Sequence, residues 1–215
     1  MKLTSTALCL TALSAAALVF ADDMVAMSAT ETKPMKAGSM VPETKLVGMD
    51  GKDVALASVL GGKPTVLIFY RGGWCPYCNR HLADLMKVEK ELVAKGYQLI
   101  GISPDTAEEL NKSMEKEKLA YKLYSDSSAD AMKKFGIAFK VEDELVAKYK
   151  NDYKIDLEKA SGQTHHILPV PSVFVVDPSG KIIYAYSNPD YRVRLKGEEV
   201  LEAVESAGWG RSAGR

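Results

Sequence analysis

Cys75 and Cys78, in the run Cys75-Pro76-Tyr77-Cys78, are the residues whose type and spacing most directly suggest chemistry. On the first turn of a helix, two cysteines three positions apart come close enough to close a disulfide. The unpaired N–H groups and positive dipole end of that helix favour a thiolate on the first cysteine. Stabilising the reduced form also makes the disulfide a stronger oxidant. The expected chemistry is therefore dithiol–disulfide exchange. Two other readings use the same residues. A structural disulfide closing so short a loop would restrict the unfolded chain little. A zinc half-site would need a second ligand pair, and the third cysteine, Cys9, stands alone near the N-terminus.

The flanking pattern predicts how the pair is held. Residues 65–70, Thr-Val-Leu-Ile-Phe-Tyr, form a continuous apolar, β-branched run, as expected for a strand buried on both faces. After the cysteines, Leu82, Leu85, Met86, Val88, Leu92 and Val93 keep a helical period until Gly96. Residues 98–102 read as a second buried strand. Asp105 with Glu108 three residues later predicts a capped helix start. A shorter strand at 121–124 and a helix over 132–135 follow, and residues 140–160 read as a charged helical insertion. A hairpin over 173–187 turns at Asp177-Pro178-Ser179-Gly180, and a helix over 198–205 closes the chain. An earlier hairpin, 44–47 with 52–56, turns around Gly48 to Gly51. Strands alternating with helices predict an α/β fold: a central mixed sheet flanked by helices on both faces.

A helix-opening Cys-x-x-Cys combined with the later run Leu168-Pro169-Val170-Pro171-Ser172-Val173-Phe174 resembles the thioredoxin fold. That resemblance implies a cis peptide at Val170–Pro171, with backbone groups left free beside the dithiol for substrate; Pro169 is the rival position. The wider chain is similar to the AhpC/TSA, peroxiredoxin-like branch of that superfamily. The similarity runs from about residue 38 to 204. It is carried by Gly38 with Pro42, Gly101-Ile102-Ser103-Pro104-Asp105, Ser125-Asp126 and Phe174-Val175-Val176-Asp177. Against the family motif, Phe69 and Tyr70 match and Cys78 falls on the peroxidatic cysteine. Arg71 stands for a proline, Cys75 for a threonine, and Pro171 for an arginine.

The thioredoxin likeness implies that Cys75 attacks a substrate disulfide and Cys78 resolves the mixed disulfide. Trp74 would shield the motif, and Arg71 would lower a thiol pKa or sit exposed at the strand end. Pro76-Tyr77 is the dipeptide glutaredoxins carry. The buried acid that thioredoxins keep under the dithiol has no match in residues 66–69, so the proton acceptor is unassigned. The main expectation is an exported thiol–disulfide oxidoreductase. The second is a thiol-dependent peroxidase using Cys78. The third is a copper carrier in which His165 or His166 joins Cys75 and Cys78.

Composition sets the outer bounds. The 215 residues carry 28 basic and 28 acidic side chains, and the pI is near 6.8. That balance argues against nucleic-acid binding. Residues 1–21 read as a secretory signal with Lys2 ahead of a short apolar run, cut after Ala21. Cys9 would leave with it, and the product would be periplasmic or secreted without stable membrane insertion. Residues 22–40 read as a flexible leader and 41–210 as the domain. No cofactor is implied. The expected partners are protein or small-molecule thiols and disulfides, with a redox partner that supplies or removes electrons.

Overall fold

Strand β3 (Thr65–Phe69) has all five residues buried. Val66 and Ile68, with Tyr70 just beyond, face one hydrophobic layer, and Leu67 and Phe69 face another. A strand alternates its side chains between two faces, so a run apolar at every position must be covered on both. The computed structural model describes residues 25–206 and shows this double cover. β3 is central in a seven-stranded mixed sheet of order β2-β1-β5-β4-β3-β8-β9. Its strands are β1 (Lys45–Val47), β2 (Asp53–Ala55), β4 (Gln98–Ser103), β5 (Lys122–Ser125), β8 (Ser172–Val176) and β9 (Ile182–Ser187). β3, β4 and β5 are parallel neighbours; β8 runs antiparallel to β3.

Parallel neighbours need crossovers. Helix α2 (Pro76–Ala94) joins β3 to β4 and α3 (Ala107–Glu117) joins β4 to β5. With α7 (Gly197–Ser206), α2 covers the Val66–Ile68 face, burying Leu82, Leu85, Val88 and Leu92. Full burial of such a side chain is worth about 1.5–3 kcal/mol. Helices α1 (Leu56–Leu60) and α4 (Asp130–Lys134) supply buried residues to the opposite layer. The carboxyl ends of β3, β4 and β5 therefore lie at one edge of the sheet, where open α/β sheets place their sites.

Several expectations shift. Helix α3 is capped by Thr106, whose side chain accepts from the Glu109 N–H; Asp105 is buried instead of serving as the cap. The stretch read as a single insertion holds two helices, α5 (Asp143–Asn151) and α6 (Leu157–Ser161). A two-stranded ribbon, β6 (Ala138–Lys140) with β7 (Ile167–Pro169), closes its base. Residues 25–40, expected as a flexible leader, are laid against the domain. The Ala26 N–H donates to the Ala138 carbonyl, the Met35 N–H to Phe135, and the Gly38 N–H to Ile182. These bonds satisfy backbone groups that a composition-based reading leaves to water. The secretory signal, its cleavage after Ala21, Cys9 and the last residues of the expected domain lie outside the described residues. Among the described residues, no helix is long and apolar enough to cross a membrane.

Candidate active site

Cys75 is the N-cap of α2, extended at φ −91°, ψ 113°, and Pro76 follows at the first helical turn. Proline is favoured there because its missing N–H would have had no intrahelical partner. The Cys75 carbonyl accepts from the Cys78 N–H at 3.0 Å and the Asn79 N–H at 3.1 Å, which starts the helix. Upstream, the Cys75 N–H donates to Gly72 at 3.1 Å. Gly72 has φ +143°, and a Cβ there would collide with the Trp74 indole and lie 2.7 Å from Asp105 Oδ1. Two side chains anchor the adjoining glycine. Asn79 Nδ2 donates to the Gly73 carbonyl at 2.9 Å, and the Gly73 N–H donates to Asp105 Oδ2 at 2.8 Å.

Both thiols are reduced, and Cys75 is 2% and Cys78 0% exposed. The Cys78 side chain hydrogen-bonds Cys75 and lowers the Cys75 thiol to about 6 against the opposing effect of burial; Arg71 and Arg194 add positive charge. Burial, and then the bond with Cys75, push the Cys78 thiol well up. One proton is thus shared by the pair, and the thiolate rests on Cys75.

Arg71 is not an exposed strand-end residue. It is 4% exposed, with its guanidinium carbon 4.3 Å from the Tyr191 ring centre, 5.1 Å from Trp74 and 5.6 Å from Tyr149. It also donates to the Tyr149 hydroxyl. Trp74 is half-buried against the core cluster that contains both cysteines. Tyr77 packs edge-on to Tyr191 at 5.5 Å, and the Arg80 guanidinium carbon lies 4.6 Å from the Tyr77 ring centre.

The Pro171 loop departs from expectation. Among the described residues no peptide bond is cis, so Val170–Pro171 and Leu168–Pro169 are both trans. Nor is this backbone left free for substrate. The Val170 N–H donates to Ile137 at 2.8 Å, its carbonyl accepts from Ser172 Oγ at 2.8 Å, and the Pro171 carbonyl accepts from the Asn188 N–H at 3.3 Å. Ile137, just before β6, Ser172 of β8 and Asn188, just after β9, supply these partners, and the pairings with Ile137 and Asn188 are not visible in local sequence.

The histidines are also committed elsewhere. His165 Nε2 bonds the Ser127 carbonyl at 2.8 Å while its Nδ1 accepts from the Ile167 N–H, and His166 Nε2 bonds Glu158 at 2.9 Å. Among the described residues no group of three or more His, Cys, Asp or Glu is placed to hold a metal.

Two residues at the site were not expected there from sequence. Arg194 Nη2 donates to Cys78 Sγ at 3.5 Å. Its segment is pinned to α2 by His81, whose Nε2–H donates to the Leu195 carbonyl at 2.8 Å, and by Asp84, which accepts from the Gly197 N–H at 2.8 Å. Burial holds His81 down at about 4, so it stays neutral in this role. An arginine 116 residues from Cys78 carries no local signal. Asp105 is the second: 1% exposed, with its carboxyl pushed up to about 7 chiefly by burial.

Comparisons with known proteins agree with this architecture. The chain is similar to "Peroxiredoxin Bcp" of Escherichia coli K12, 33% identical over 104 residues, which cover 48% of this chain and 66% of that one. The match thus spans just under two thirds of that relative. "Peroxiredoxin Q, chloroplastic" of Suaeda salsa is 34% identical over 100 residues, 46% of each chain. Among solved structures, reduced Prx3 from Vibrio vulnificus in complex with hydrogen peroxide superposes with a TM-score of 0.65 at 16% identity, over 79% of this chain and 99% of that one. Peroxidoxin BcpB from Mycobacterium tuberculosis gives 0.60 at 21% identity, over 80% and 96%. The AhpC/TSA family pattern itself matches residues 37–185, and with that match across most of the sheet the chain belongs to the AhpC/TSA family, on a thioredoxin-type fold.

Proposed function

We propose that this chain is a thiol-dependent peroxidase in which the Cys75–Cys78 pair supplies both electrons to a hydroperoxide and ends as a disulfide. The observation that carries the reading is the reduced pair itself, at the helix N-terminus after β3, with Arg194 on Cys78 and the Arg71 charge nearby. Family position and local electrostatics point to different attackers. The family motif puts Cys78 in the peroxidatic place, whereas burial keeps its thiol protonated and the thiolate rests on Cys75. A thiolate attacks and a thiol does not, so the attack is assigned to Cys75 and resolution to Cys78.

The test is hydrogen-peroxide consumption with a small thiol reductant. Cys75→Ser should slow it by at least about 100-fold, on the scale of losing a nucleophile. Without the reductant, Cys78→Ser should still react once and stop at a sulfenic acid on Cys75. Full reaction in Cys75→Ser, with none in Cys78→Ser, would move the attack to Cys78.

Exchange with protein or small-molecule disulfides is the second reading, favoured by the lowered Cys75 thiol. Equal rates with a disulfide and far slower rates with peroxide would select it. Copper carriage through His165 or His166 has no support in the geometry, since both rings are bonded elsewhere. Export is part of this proposal, with the chain cut after Ala21 and acting in the periplasm or outside the cell. N-terminal sequencing of the mature protein tests that.

A further inference from the structure

The peroxidase reading, on which this inference rests, ends each cycle with a Cys75–Cys78 disulfide and leaves its reductant unnamed. Next to the pair lies a cleft of about 350 Å³, within the size range of small-molecule sites, roughly 300–1,000 Å³. Gly73 and Trp74, the two residues before Cys75, form one wall. Helix α3 forms the second with Ser113, and the α5–α6 side the third with Lys154, Ile155 and Lys159. The charges around this cleft do not cancel. Lys112 holds Glu108 and Glu109 at 2.8 Å each, and Lys116 pairs with Glu117 at 3.5 Å. Asp156 is spent on Lys150 at 3.0 Å and on the Lys159 N–H at 3.0 Å. Lys154 Nζ donates to the Asn151 carbonyl at 2.8 Å, and among the described residues neither Lys154 nor Lys159 has an ion-pair partner. Two exposed positive charges therefore stand unmatched at the mouth.

The floor of the cleft is polar as well. Asp105 lies there, 1% exposed, and its Oδ2 accepts from the Gly73 N–H at 2.8 Å and from Ser103 Oγ at 3.0 Å. Its Oδ1 has no hydrogen-bond partner, and native proteins rarely leave a buried oxygen unpaired. The Trp74 indole covers that oxygen: a Cβ on Gly72 would lie 2.3 Å from Trp74 Nε1 and 2.7 Å from Asp105 Oδ1. A donor and an acceptor thus stand over one glycine without bonding each other. A peptide amide, with one N–H and one C=O, complements such a pair. Inserted beside the half-buried indole, it meets both.

We propose that this cleft binds the reductant of the disulfide, a small acidic peptide thiol. Its carboxylates sit on Lys154 and Lys159, its amide between Asp105 Oδ1 and the Trp74 indole N–H, and its thiol at Cys75. Consecutive Cα atoms are about 3.8 Å apart, so a group held against Trp74 is one residue from Cys75. A cleft of this volume admits two or three residues, whereas a folded partner needs about 800 Å² of surface. The ligand's thiolate attacks Cys75 Sγ. A ligand–Cys75 disulfide forms, the Cys75–Cys78 bond breaks, and Cys78 leaves with the electron pair and takes up the proton that the ligand's thiol gave up. A second ligand thiolate attacks the first ligand's sulfur, which releases the ligand disulfide and returns Cys75 as a thiolate. Two thiols are oxidised and one protein disulfide is reduced, so the electrons balance.

The experiment oxidises the full-length protein to its disulfide with diamide, so that no peroxide chemistry enters. Reduction is then followed with glutathione and with glutathione diethyl ester, in which both carboxylates are masked. Each rate is divided by that thiol's rate with a small free disulfide, which removes intrinsic thiol reactivity. The normalised rate for glutathione should exceed that for the ester by at least about tenfold, the scale of two exposed ion pairs in a shared site, and the excess should shrink with added salt. Lys154→Gln with Lys159→Gln should cut the excess at least about threefold. Asp105→Asn sets an NH₂ donor against the ligand's N–H. It should slow glutathione and its ester about tenfold more than 2-mercaptoethanol, which has no amide. In a Trp209→Phe background, where Trp74 is the only tryptophan, S-methylglutathione should change the indole emission saturably and bind the lysine variant more weakly. A normalised excess below about twofold, or one untouched by the lysine pair, overturns the proposal. So does a folded Asp105→Asn that slows all three thiols alike; if that variant fails to fold, a Trp74 emission that does not respond overturns it. A wild type inert to peroxide but reduced preferentially by glutathione sinks only the peroxidase reading.

Discussion

Asp105 and Asp126 occupy matching places, each just after the carboxyl end of a parallel strand, β4 and β5, and each is 1% exposed. Burial raises both carboxyls to about 7. Their surroundings differ in one respect. Asp126 spends both oxygens on the backbone, accepting from the Ala131 N–H at 3.0 Å and the Met132 N–H at 2.8 Å, and so holds the start of α4. Asp105 places both of its bonds on Oδ2 and leaves Oδ1 unpaired beside the dithiol. A perturbed carboxyl is therefore not by itself a mark of function. The unspent oxygen, and what lies next to it, separates the acid available for chemistry from the acid used in folding.

Asparagine is the probe that breaks or sharpens this contrast, because it keeps one oxygen and replaces the other with an NH₂ donor. At position 126 the donor must face a backbone N–H. Asp126→Asn should lose about 2–3 kcal/mol in urea unfolding, the cost of leaving a buried donor unmet. At position 105 the amide nitrogen takes the unpaired place, and Asp105→Asn at pH 5 should lose less than about 1 kcal/mol. Equal losses at the two positions would remove the distinction.

The pH dependence of stability is a finer test. Both carboxyls hold protons more tightly folded than unfolded, where the ordinary value is 3.8. Between the unfolded value and about 7 the folded state binds more protons, so stability falls as pH rises through that window and levels above it. Asp105→Asn removes its share of that fall. Relative to wild type, the variant should gain stability from pH 5 to pH 8. A difference that stays flat across this range would mean that Asp105 is not raised.

The smallest effects concern the thiolate. Removing the strongest contributor to the Cys75 shift should matter most. The midpoint of Cys75 alkylation by iodoacetamide should therefore rise more in Cys78→Ala than in Arg71→Met, and least in Arg194→Met. A reversed order would make arginine charge, and not the Cys78 bond, the main source of thiolate stability.

How legible the site was in the chain followed the range of the interactions that build it. Cys75 and Cys78 lie on one helical turn, and the apolar run of β3 announces burial at every position, so both could be read locally. The same holds for the hairpin of β1 and β2 and for α7. Asp105 was read as a helix cap because Asp and Glu three apart satisfy the capping pattern. In the structure Thr106 takes the cap, and Asp105 turns inward to the Gly73 loop, 32 residues back along the chain. The bond expected to be cis before Pro171 is trans, and the loop backbone expected to be free is taken up by Ile137, beside the ribbon of β6 and β7, and by Asn188. That ribbon pairs residues about 30 apart, with no turn signal to predict it. Residues 25–40 were read from composition alone, and composition does not see the Phe135, Ala138 and Ile182 carbonyls that receive their N–H groups.

Short-range physics wrote the dithiol into the sequence: two thiols at helical spacing, a proline that opens the helix, and a buried strand delivering the chain to them. Period and spacing were enough to establish the α/β layering as well. Which thiol holds the proton was decided only in three dimensions, by the burial of Cys78 and its bond to Cys75, which outweigh the opposing charge of Arg194 brought in from beyond β9. The pairing of Asp105 with that site was decided there too. Electrostatics and desolvation act through space, and the residues that set them are brought together by sheet order and crossover helices.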